Sequence, residues 1–177
     1  MILAASLLLA IAFDLTFAFI QSKTHPVKYE EEIEKYSAEY NIPIYIVYAV
    51  IDVESNFEHE ATSGKAYGLM QMTPSTFAWL TSNEHLGENL SVSELFDPDV
   101  NIRYGCYYLN YLREKFNNWD TVFAAYNGGE GNVSKWLSDA RYSTDGKTLN
   151  KIPFKETRDY VKKVNKSKQY YRGKILF

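Results

Sequence analysis

Residues 43–55 have the sequence PIYIVYAVIDVES, and this stretch carries most of the information about the fold. Pro43 suits the first turn of an α-helix. Three apolar residues precede Glu54 by seven, four and three positions and share a helix face with it: Val47, Val50 and Ile51. A carboxyl at the end of a buried face keeps its proton to higher pH, as a general acid near neutrality requires. The same spacing also fits a carboxyl that lies in water at a frayed helix end.

The chain after residue 28 is predicted to be all-α, because apolar residues recur at three- and four-residue spacing and no alternating strand pattern of useful length occurs. Besides the helix from Pro43, helices are predicted over 30–40, from Thr73-Pro74, from Asp97-Pro98, from Asp120 to Gly128-Gly129, over 133–137 and over 156–168. Thr73 and Asp120 are the expected N-caps of their helices. Residues 140–155 are predicted to form a loop.

The composition of the 177 residues favours one domain with a short appendage. A hydrophobic fraction of 46% and a charged fraction of 23% exclude a disordered or fibrous protein. Cys106 is the one cysteine, so no intramolecular disulfide can form, and it is predicted to pack in a helix face. The three histidines have no metal-ligand spacing and occur in polar stretches, so we expect them to be exposed and expect no metal site: His25, His59 and His85.

The N-terminal segment, residues 1–22, is predicted to be a membrane anchor or a signal segment. Residues 1–20 contain three polar side chains, Ser6, Asp14 and Thr16, and twenty helical residues of about 1.5 Å each nearly cross a hydrocarbon layer of roughly 30 Å. The first basic residue, Lys23, follows the apolar run, which is irregular for a signal peptide. Three interpretations stay open: an anchor, a cleaved signal and a buried amphipathic helix.

The charge of the chain is unevenly distributed. Residues 1–146 contain 9 basic and 20 acidic side chains, whereas residues 147–177 contain 10 basic and 2 acidic ones. The basic segment fits either a solvated helix face or a surface attracted to anionic wall polymer or lipid. We expect no nucleic-acid partner.

Four short motifs follow one another along the chain: Glu54-Ser55, Gly68-Leu69-Met70-Gln71, Ala125-Tyr126-Asn127 before a Gly-Gly turn, and the segment IPFKETRDYV at 152–161. Together they resemble the catalytic domain of soluble lytic transglycosylases, relatives of goose-type lysozyme, from about residue 29 to about residue 170. The resemblance implies a lysozyme-like helical catalytic domain over 23–177, acting on peptidoglycan glycan strands outside the cytoplasmic membrane. It implies no metal or organic cofactor, and we expect a monomer.

The resemblance also assigns roles to individual residues. Glu54 would protonate the glycosidic oxygen between N-acetylmuramic acid and N-acetylglucosamine and then deprotonate the muramic 6-hydroxyl, which gives a 1,6-anhydro product. Tyr126 would bring its hydroxyl to the reacting centre. Ser55 is expected to orient the Glu54 carboxyl, and Gly68 to let the backbone approach a sugar. Four further residues are expected to contact or shape the substrate site: Ser63, Gln71, Asn127 and Glu156.

The number of carboxylates distinguishes the candidate reactions. Glycoside hydrolases use two carboxylates about 5 to 9.5 Å apart. The next acids after Glu54 are Glu58 and Glu60, and the next aspartate is Asp97. Without an obvious second carboxylate the transglycosylase reaction is favoured, but these three acids could still fold close to Glu54. The alternatives are a hydrolytic goose-type lysozyme and a non-catalytic wall-binding component of a cell-envelope assembly.

Overall fold

The computed structural model describes residues 11–13, 16 and 25–175, which contain helices and no named strand. After residue 25 the α-helices are α1 (Glu30–Glu39), α2 (Ile44–Ser55), α3 (Pro74–Thr81), α4 (Pro98–Phe116), α5 (Trp119–Gly128), α6 (Glu130–Leu137) and α7 (Lys155–Ile175), with a 3₁₀ helix at Val92–Phe96. The all-α prediction is therefore confirmed for the described part of the chain.

The helix starts follow capping chemistry, with one correction to the predicted caps. The Thr73 side chain accepts a hydrogen bond from Thr76 N–H, as predicted, and Pro74 begins α3. The cap of α5 is Asn118 instead of Asp120, because the Asn118 side-chain oxygen accepts from the Thr121 amide. Asp120 lies inside the first turn of α5 and accepts a hydrogen bond from Asn165 on α7.

The last helix is longer than the predicted span 156–168. It continues to Ile175 because Tyr171 is fully buried and its ring packs on Tyr48 of α2 and on Phe57, with centroids 5.2 and 6.2 Å away. Helix α7 thus lies along α2 and also contacts α5. Packing from another element, and not the local sequence pattern, determines where α7 ends.

Two apolar clusters lie on opposite sides of α4. The larger one collects residues from helices α1, α2, α4, α5, α6 and α7, and includes Cys106, whose predicted packing role is confirmed by its complete burial. The smaller one lies under α3 and the 3₁₀ helix and is formed by Met72, Phe77, Leu80, Leu95 and Tyr104. Tyr108 packs against both clusters, so α4 is the central element between two lobes.

The Asn101 side chain connects α4 to the turn at Gly68–Gln71. It is completely buried, its amide donates to Tyr67 O (3.0 Å) and Leu95 O (2.7 Å), and its Oδ1 accepts from Met70 N (2.7 Å). One side chain thereby bonds three backbone groups that lie outside the α-helices, of which Tyr67 O also accepts from Met72 N. This contact fixes the position of the turn relative to both lobes.

The prediction that the three histidines are exposed is wrong. All three are half-buried, and each ring has a polar partner. The Nδ1 atom of His25 lies 3.0 Å from Asp52 Oδ2, and the Nδ1 atom of His85 lies 3.0 Å from the Tyr107 hydroxyl. The Nδ1 atom of His59 lies 3.3 Å from Phe96 O. The polar residues next to each histidine in the sequence did not predict its exposure correctly, because the groups that contact the histidine rings lie 22 to 37 positions away in the sequence.

The predicted N-terminal anchor, residues 1–22, lies mostly outside the described residues. Among the residues that are described, no helix is long and apolar enough to span a membrane. Ile11 and Phe13 are exposed, which disfavours the interpretation of a buried amphipathic helix.

Replacing Asn101 by alanine leaves buried backbone groups without partners, at about 1 to 3 kcal/mol for each unsatisfied group. We expect Asn101→Ala to lower the free energy of unfolding by at least about 2 kcal/mol. Asn110→Ala, at a half-buried position of the same helix whose side chain bonds Glu114 and Arg113, is the matched control and should change it by less than about 1 kcal/mol. Urea unfolding followed by circular dichroism measures both, and equal small losses would contradict the connecting role of Asn101.

Candidate active site

Glu54 is placed by the buried face of α2. Val47, Val50 and Ile51 are completely buried beneath it, as the sequence pattern predicts. Burial raises the pKa of Glu54 from about 4.5 to about 7, and the Tyr160 hydroxyl opposes this rise by stabilising the ionised form. The carboxyl is therefore divided between protonated and ionised forms near neutral pH, which suits a group that gives and then takes a proton.

Tyr160 is a site residue that the sequence analysis did not assign. Its hydroxyl is buried, acts on the Glu54 carboxyl, and has no partner at full hydrogen-bonding distance among the described residues. Burial and the neighbouring Glu54 charge raise its pKa well above the ordinary value, so it stays a proton donor. The closing motif at 152–161 contains Tyr160, but one sequence could not show that α7 returns to α2.

Tyr126 lies beside the same carboxyl. Its hydroxyl donates a 2.7 Å hydrogen bond to Met70 O. Burial, followed by the charge of Glu54, raises its pKa well above the ordinary value, so the phenol is neutral. The hydroxyl proton is thus committed to the backbone of the Gly68–Gln71 turn, and the hydroxyl oxygen retains lone pairs that can accept from a ligand.

Ser55 does not orient the Glu54 carboxyl in the way expected. Its hydroxyl lies 2.8 Å from Leu69 O and 3.2 Å from Ile51 O, and these carbonyls are its acceptors. The residue after Glu54 therefore joins the end of α2 to the Gly68–Gln71 turn. It positions the acid through the backbone.

Gly68 has a different role from the expected approach to a sugar. Its φ is +76°, and a Cβ at this position would lie 2.1 Å from Leu95 O and 2.2 Å from Asn101 Nδ2. The protein itself occupies the space that the glycine leaves. Gly68 is thus required for the contact with Asn101.

Gln71 and Ser63 are held by the loop that contains them. The Gln71 amide donates to Ala61 O (3.1 Å) and Gly68 O (3.0 Å), which leaves its carbonyl oxygen available to a ligand. Ser63 is exposed and accepts a hydrogen bond from Ala66 N. Neither residue lines the two cavities that contain Asn127 and Glu156.

Asn127 and Glu156 lie close together in the structure. Both are exposed and both line two adjoining cavities, of about 560 and 270 Å³, which we call the groove. The other lining residues of the groove are Val53, Gly128, Pro153, Phe154, Lys155, Thr157, Asp159, Tyr160 and Lys163. The groove thus passes Tyr160, whose hydroxyl acts on the Glu54 pKa, and includes the exposed Phe154 ring.

The three acids that could have folded close to Glu54 have other surroundings. Glu58 and Glu60 are exposed, and Asp97 caps α4 by accepting from the amides of Asp99 and Val100. Within the described part of the chain, no acidic side chain contributes to the shift of the Glu54 pKa. The site is therefore built around one desolvated carboxyl and two neutral tyrosines.

Comparison with known proteins identifies the family of this chain. The family model described as "Transglycosylase SLT domain" matches residues 31–149. The soluble lytic murein transglycosylase of Escherichia coli K12 is 34% identical over 151 residues, which are 83% of this chain and 23% of that protein. Membrane-bound lytic murein transglycosylase C of Serratia proteamaculans is 33% identical over 168 residues, 82% of this chain and 47% of that protein.

Solved structures of such proteins have the same fold. An inactive mutant of lytic transglycosylase Slt from Pseudomonas aeruginosa superposes with a TM-score of 0.75 at 31% identity, covering 88% of this chain and 25% of that one. The 70-kDa soluble lytic transglycosylase in complex with bulgecin A gives a TM-score of 0.73 at 33% identity, covering 84% and 24%. The chain thus spans about a quarter to a half of the length of these relatives.

The raised pKa of Glu54 makes the stability of the protein depend on pH. The folded state holds this proton up to about pH 7, whereas the unfolded state releases it near pH 4.5, so the unfolding free energy falls as the pH rises between these values. At about 1.4 kcal/mol for each pKa unit the loss is roughly 3 kcal/mol. Glu54→Gln should remove this pH-dependent loss, so the variant should gain stability relative to the wild type from pH 4 to pH 8. A pH-independent difference in urea unfolding would contradict a desolvated Glu54.

Tyr126→Phe tests the hydrogen bond to Met70 O. Because the ring still packs and a buried carbonyl loses its donor, we expect the unfolding free energy to fall by about 1 to 3 kcal/mol. The control is Tyr142→Phe, at a half-buried tyrosine for which no side-chain hydrogen bond occurs in the described residues, and it should change by less than about 0.5 kcal/mol. Thermal and urea unfolding of both variants provide the measurement.

Proposed function

Because this chain belongs to the transglycosylase SLT domain family, we propose that it cleaves the bond between N-acetylmuramic acid and N-acetylglucosamine in peptidoglycan and forms 1,6-anhydro-N-acetylmuramic acid. The observation that carries this proposal is Glu54, a carboxyl with a pKa of about 7 next to Tyr126 and Tyr160. A glycan strand would lie in the groove that Tyr160 lines.

In the first step, the protonated Glu54 gives its proton to the glycosidic oxygen while the bond from that oxygen to the muramic C1 breaks. The Tyr160 hydroxyl stabilises the carboxylate that results. This is the same interaction by which Tyr160 lowers the Glu54 pKa. Desolvation makes the carboxylate a stronger base than an exposed one. It is thus prepared to take a proton back.

In the second step, the Glu54 carboxylate takes the proton of the muramic 6-hydroxyl while O6 bonds to C1. The acid is regenerated, no water is consumed, and the anhydro ring closes within the sugar. This sequence needs one carboxyl, which agrees with the absence of acidic side chains among the groups that shift the Glu54 pKa in the described chain. A hydrolytic lysozyme reaction would use water at the same carbon.

The remaining predicted residues take supporting roles in this proposal. The Tyr126 oxygen and the Gln71 carbonyl offer acceptors, and Asn127 and Glu156 contact the strand from the groove. Ser63 would reach substrate from the exposed loop at its rim. Ser55 and Gly68 act through the backbone, as positioning residues for Glu54 and for the turn beside it.

The location of the enzyme is part of the proposal. We propose that residues 1–22 hold the domain at the outer face of the cytoplasmic membrane, or direct its export, and that the domain works as a monomer on the wall. The apolar composition of residues 1–20 supports the first statement. A relative is named a membrane-bound lytic murein transglycosylase.

Mass spectrometry of muropeptides released from purified sacculi tests the reaction. Anhydro products are lighter by about 18 mass units than hydrolytic ones, because ring closure replaces the addition of water. We expect anhydro ends to dominate. Reducing muramic acid ends would instead identify a lysozyme-type hydrolase.

The same assay tests the role of Glu54. Glu54→Gln should release products about 100- to 10,000-fold more slowly, the usual contribution of general acid–base catalysis. Glu58→Gln, at an exposed acid four residues later, is the matched control and should stay within about twofold of the wild type. Equal activity of both variants and the wild type would remove Glu54 from the reaction, and inactivity of all three proteins would favour a non-catalytic wall-binding role.

A further inference from the structure

The outward side of α7 carries a row of positive charge that the proposed reaction does not use. Helix α7 packs on α2 and α5, and the line opposite its buried residues is formed by four exposed ones: Lys162, Lys166, Gln169 and Gly173. Three more exposed cations flank this line: Lys163, Arg172 and Lys174. We call the five cations the basic face. A Cβ added at Gly173 would meet no atom within 4 Å, so nothing in the described part of the chain covers this point of the line.

The charge of the basic face is not neutralised by the protein. None of its five cations forms an ion pair within the described residues, and the sequence contains no acidic residue from position 160 to position 175. Asp159, the nearest acid along α7, is paired with Lys155. Asp52, the acid of α2 that shares a cavity with two of the cations, accepts a 2.6 Å hydrogen bond from Ser167 and lies 3.0 Å from His25 Nδ1. The five cations are therefore free to face an anionic partner.

Helix stability does not account for this charge. Two of the cations, Lys162 and Lys166, lie four positions apart, a spacing at which like charges slightly disfavour a helix. An anionic surface beside α7 would remove this repulsion and add an attraction to each cation. The basic face is thus better suited to a bound state than to a solvated one.

Half-buried tyrosines lie beside the basic face at the C-terminal end of α7. The Arg172 guanidinium lies 5.9 Å from the centre of the Tyr45 ring, and Nζ of Lys174 lies 5.7 Å from the centre of the Tyr170 ring. Tyrosine combines an apolar ring with a polar hydroxyl and is enriched at the level of lipid headgroups. Cations next to such rings suit a layer of anionic headgroups better than a fully hydrated polymer.

The N-terminal segment joins the domain next to the basic face. His25 lines one cavity together with Lys163 and Lys166. Ile20, the last residue of the apolar run, is five positions before His25, so at most about 18 Å of extended chain separates the two. A membrane that holds residues 1–20 would therefore lie within reach of α7.

We propose that the basic face docks on the anionic headgroups of a phospholipid membrane. The inference goes beyond the proposed reaction and rests only on the proposed location at the membrane. Residues 1–22 and α7 would then hold the domain at two points, which fixes its orientation. Glu156 and Lys163, which line the groove, share the neighbouring side of α7, so the groove would open beside the lipid surface and stay accessible to a strand.

A fluorescent label on the outward line of α7 reports this docking in the full chain. Cys106 is completely buried, so Gln169→Cys adds an accessible thiol for the label. The vesicles carry a quencher on their headgroups and consist of phosphatidylcholine with or without phosphatidylglycerol. We expect at least about twofold stronger quenching with phosphatidylglycerol, because an anionic surface strengthens binding by about fivefold for each cation. High salt should remove the difference, since it screens exposed charges.

A second label position is the control for proximity. Asn83→Cys places the same label at an exposed residue that follows α3, in the lobe on the other side of α4. We expect its quenching to be the same in both kinds of vesicle, because this lobe faces away from the docked helix.

Two triple variants test whether the basic face causes the docking. The first removes three of its cations: Lys162→Gln/Lys166→Gln/Lys174→Gln. The matched control removes three exposed lysines outside α7: Lys65→Gln/Lys135→Gln/Lys151→Gln. The first variant should show equal quenching in both kinds of vesicle, whereas the control should keep the wild-type difference. None of the six lysines lines the groove, so both variants should cleave a short soluble glycan at the wild-type rate. Thermal unfolding verifies the fold, and Lys162→Gln/Lys166→Gln serves if the first variant is unstable.

The outcomes separate lipid from wall polymer and this inference from the proposed function. Equal quenching of the wild type in both kinds of vesicle, or an unchanged difference in the first variant, overturns the docking of α7. If the first variant loses salt-sensitive binding to purified wall teichoic acid while its quenching on vesicles is unchanged, the basic face binds wall polymer instead. A wild type that binds anionic but not neutral vesicles contradicts anchoring by residues 1–22 and retains the basic face as a lipid site. Docking without cleavage of any strand refutes the proposed reaction alone.

Discussion

The turn at Gly68–Gln71 is the point on which the rest of the site depends. Asn101 of α4 holds its Met70 amide, Tyr126 of α5 donates to its Met70 carbonyl, and Ser55 at the end of α2 donates to Leu69 O. Three helices are thus joined through backbone groups of one short turn. Because these bonds are buried or half-buried and the backbone groups have no helical partners, moving any one helix would leave polar groups unsatisfied.

Burial of the acid follows from this arrangement. The turn and α7 close over the end of α2, so Glu54 is desolvated while Tyr126 and Tyr160, both kept neutral by their raised pKa values, remain beside it. An exposed glutamate would be ionised at neutral pH and a poor acid. Burying Glu54 lowers the stability of the folded protein, and the same burial raises its pKa to the range that the proposed acid–base chemistry needs.

Helix α7 contributes to each part of the proposed substrate site. Tyr160 acts on the acid, Glu156 lines the groove, and Lys163 and Lys166 line a neighbouring cavity. These residues recur at three- and four-residue spacing along one side of the helix, which is why one element can serve several contacts. The basic character of residues 147–177 thus includes charges with a specific position beside the groove.

The sequence by itself determined the helical fold, the buried face of α2 and the position of Glu54 at its end, because these are local consequences of residue spacing. The four motifs also indicated the family. The tertiary structure alone decided the partners: Ser55 with Leu69 O, Gly68 against Asn101, Tyr160 near Glu54 and His25 with Asp52. These pairs lie 14 to 106 positions apart or depend on backbone groups, whose positions no side-chain pattern specifies. Helix spacing predicts which face is buried, but the element that covers it is set by packing.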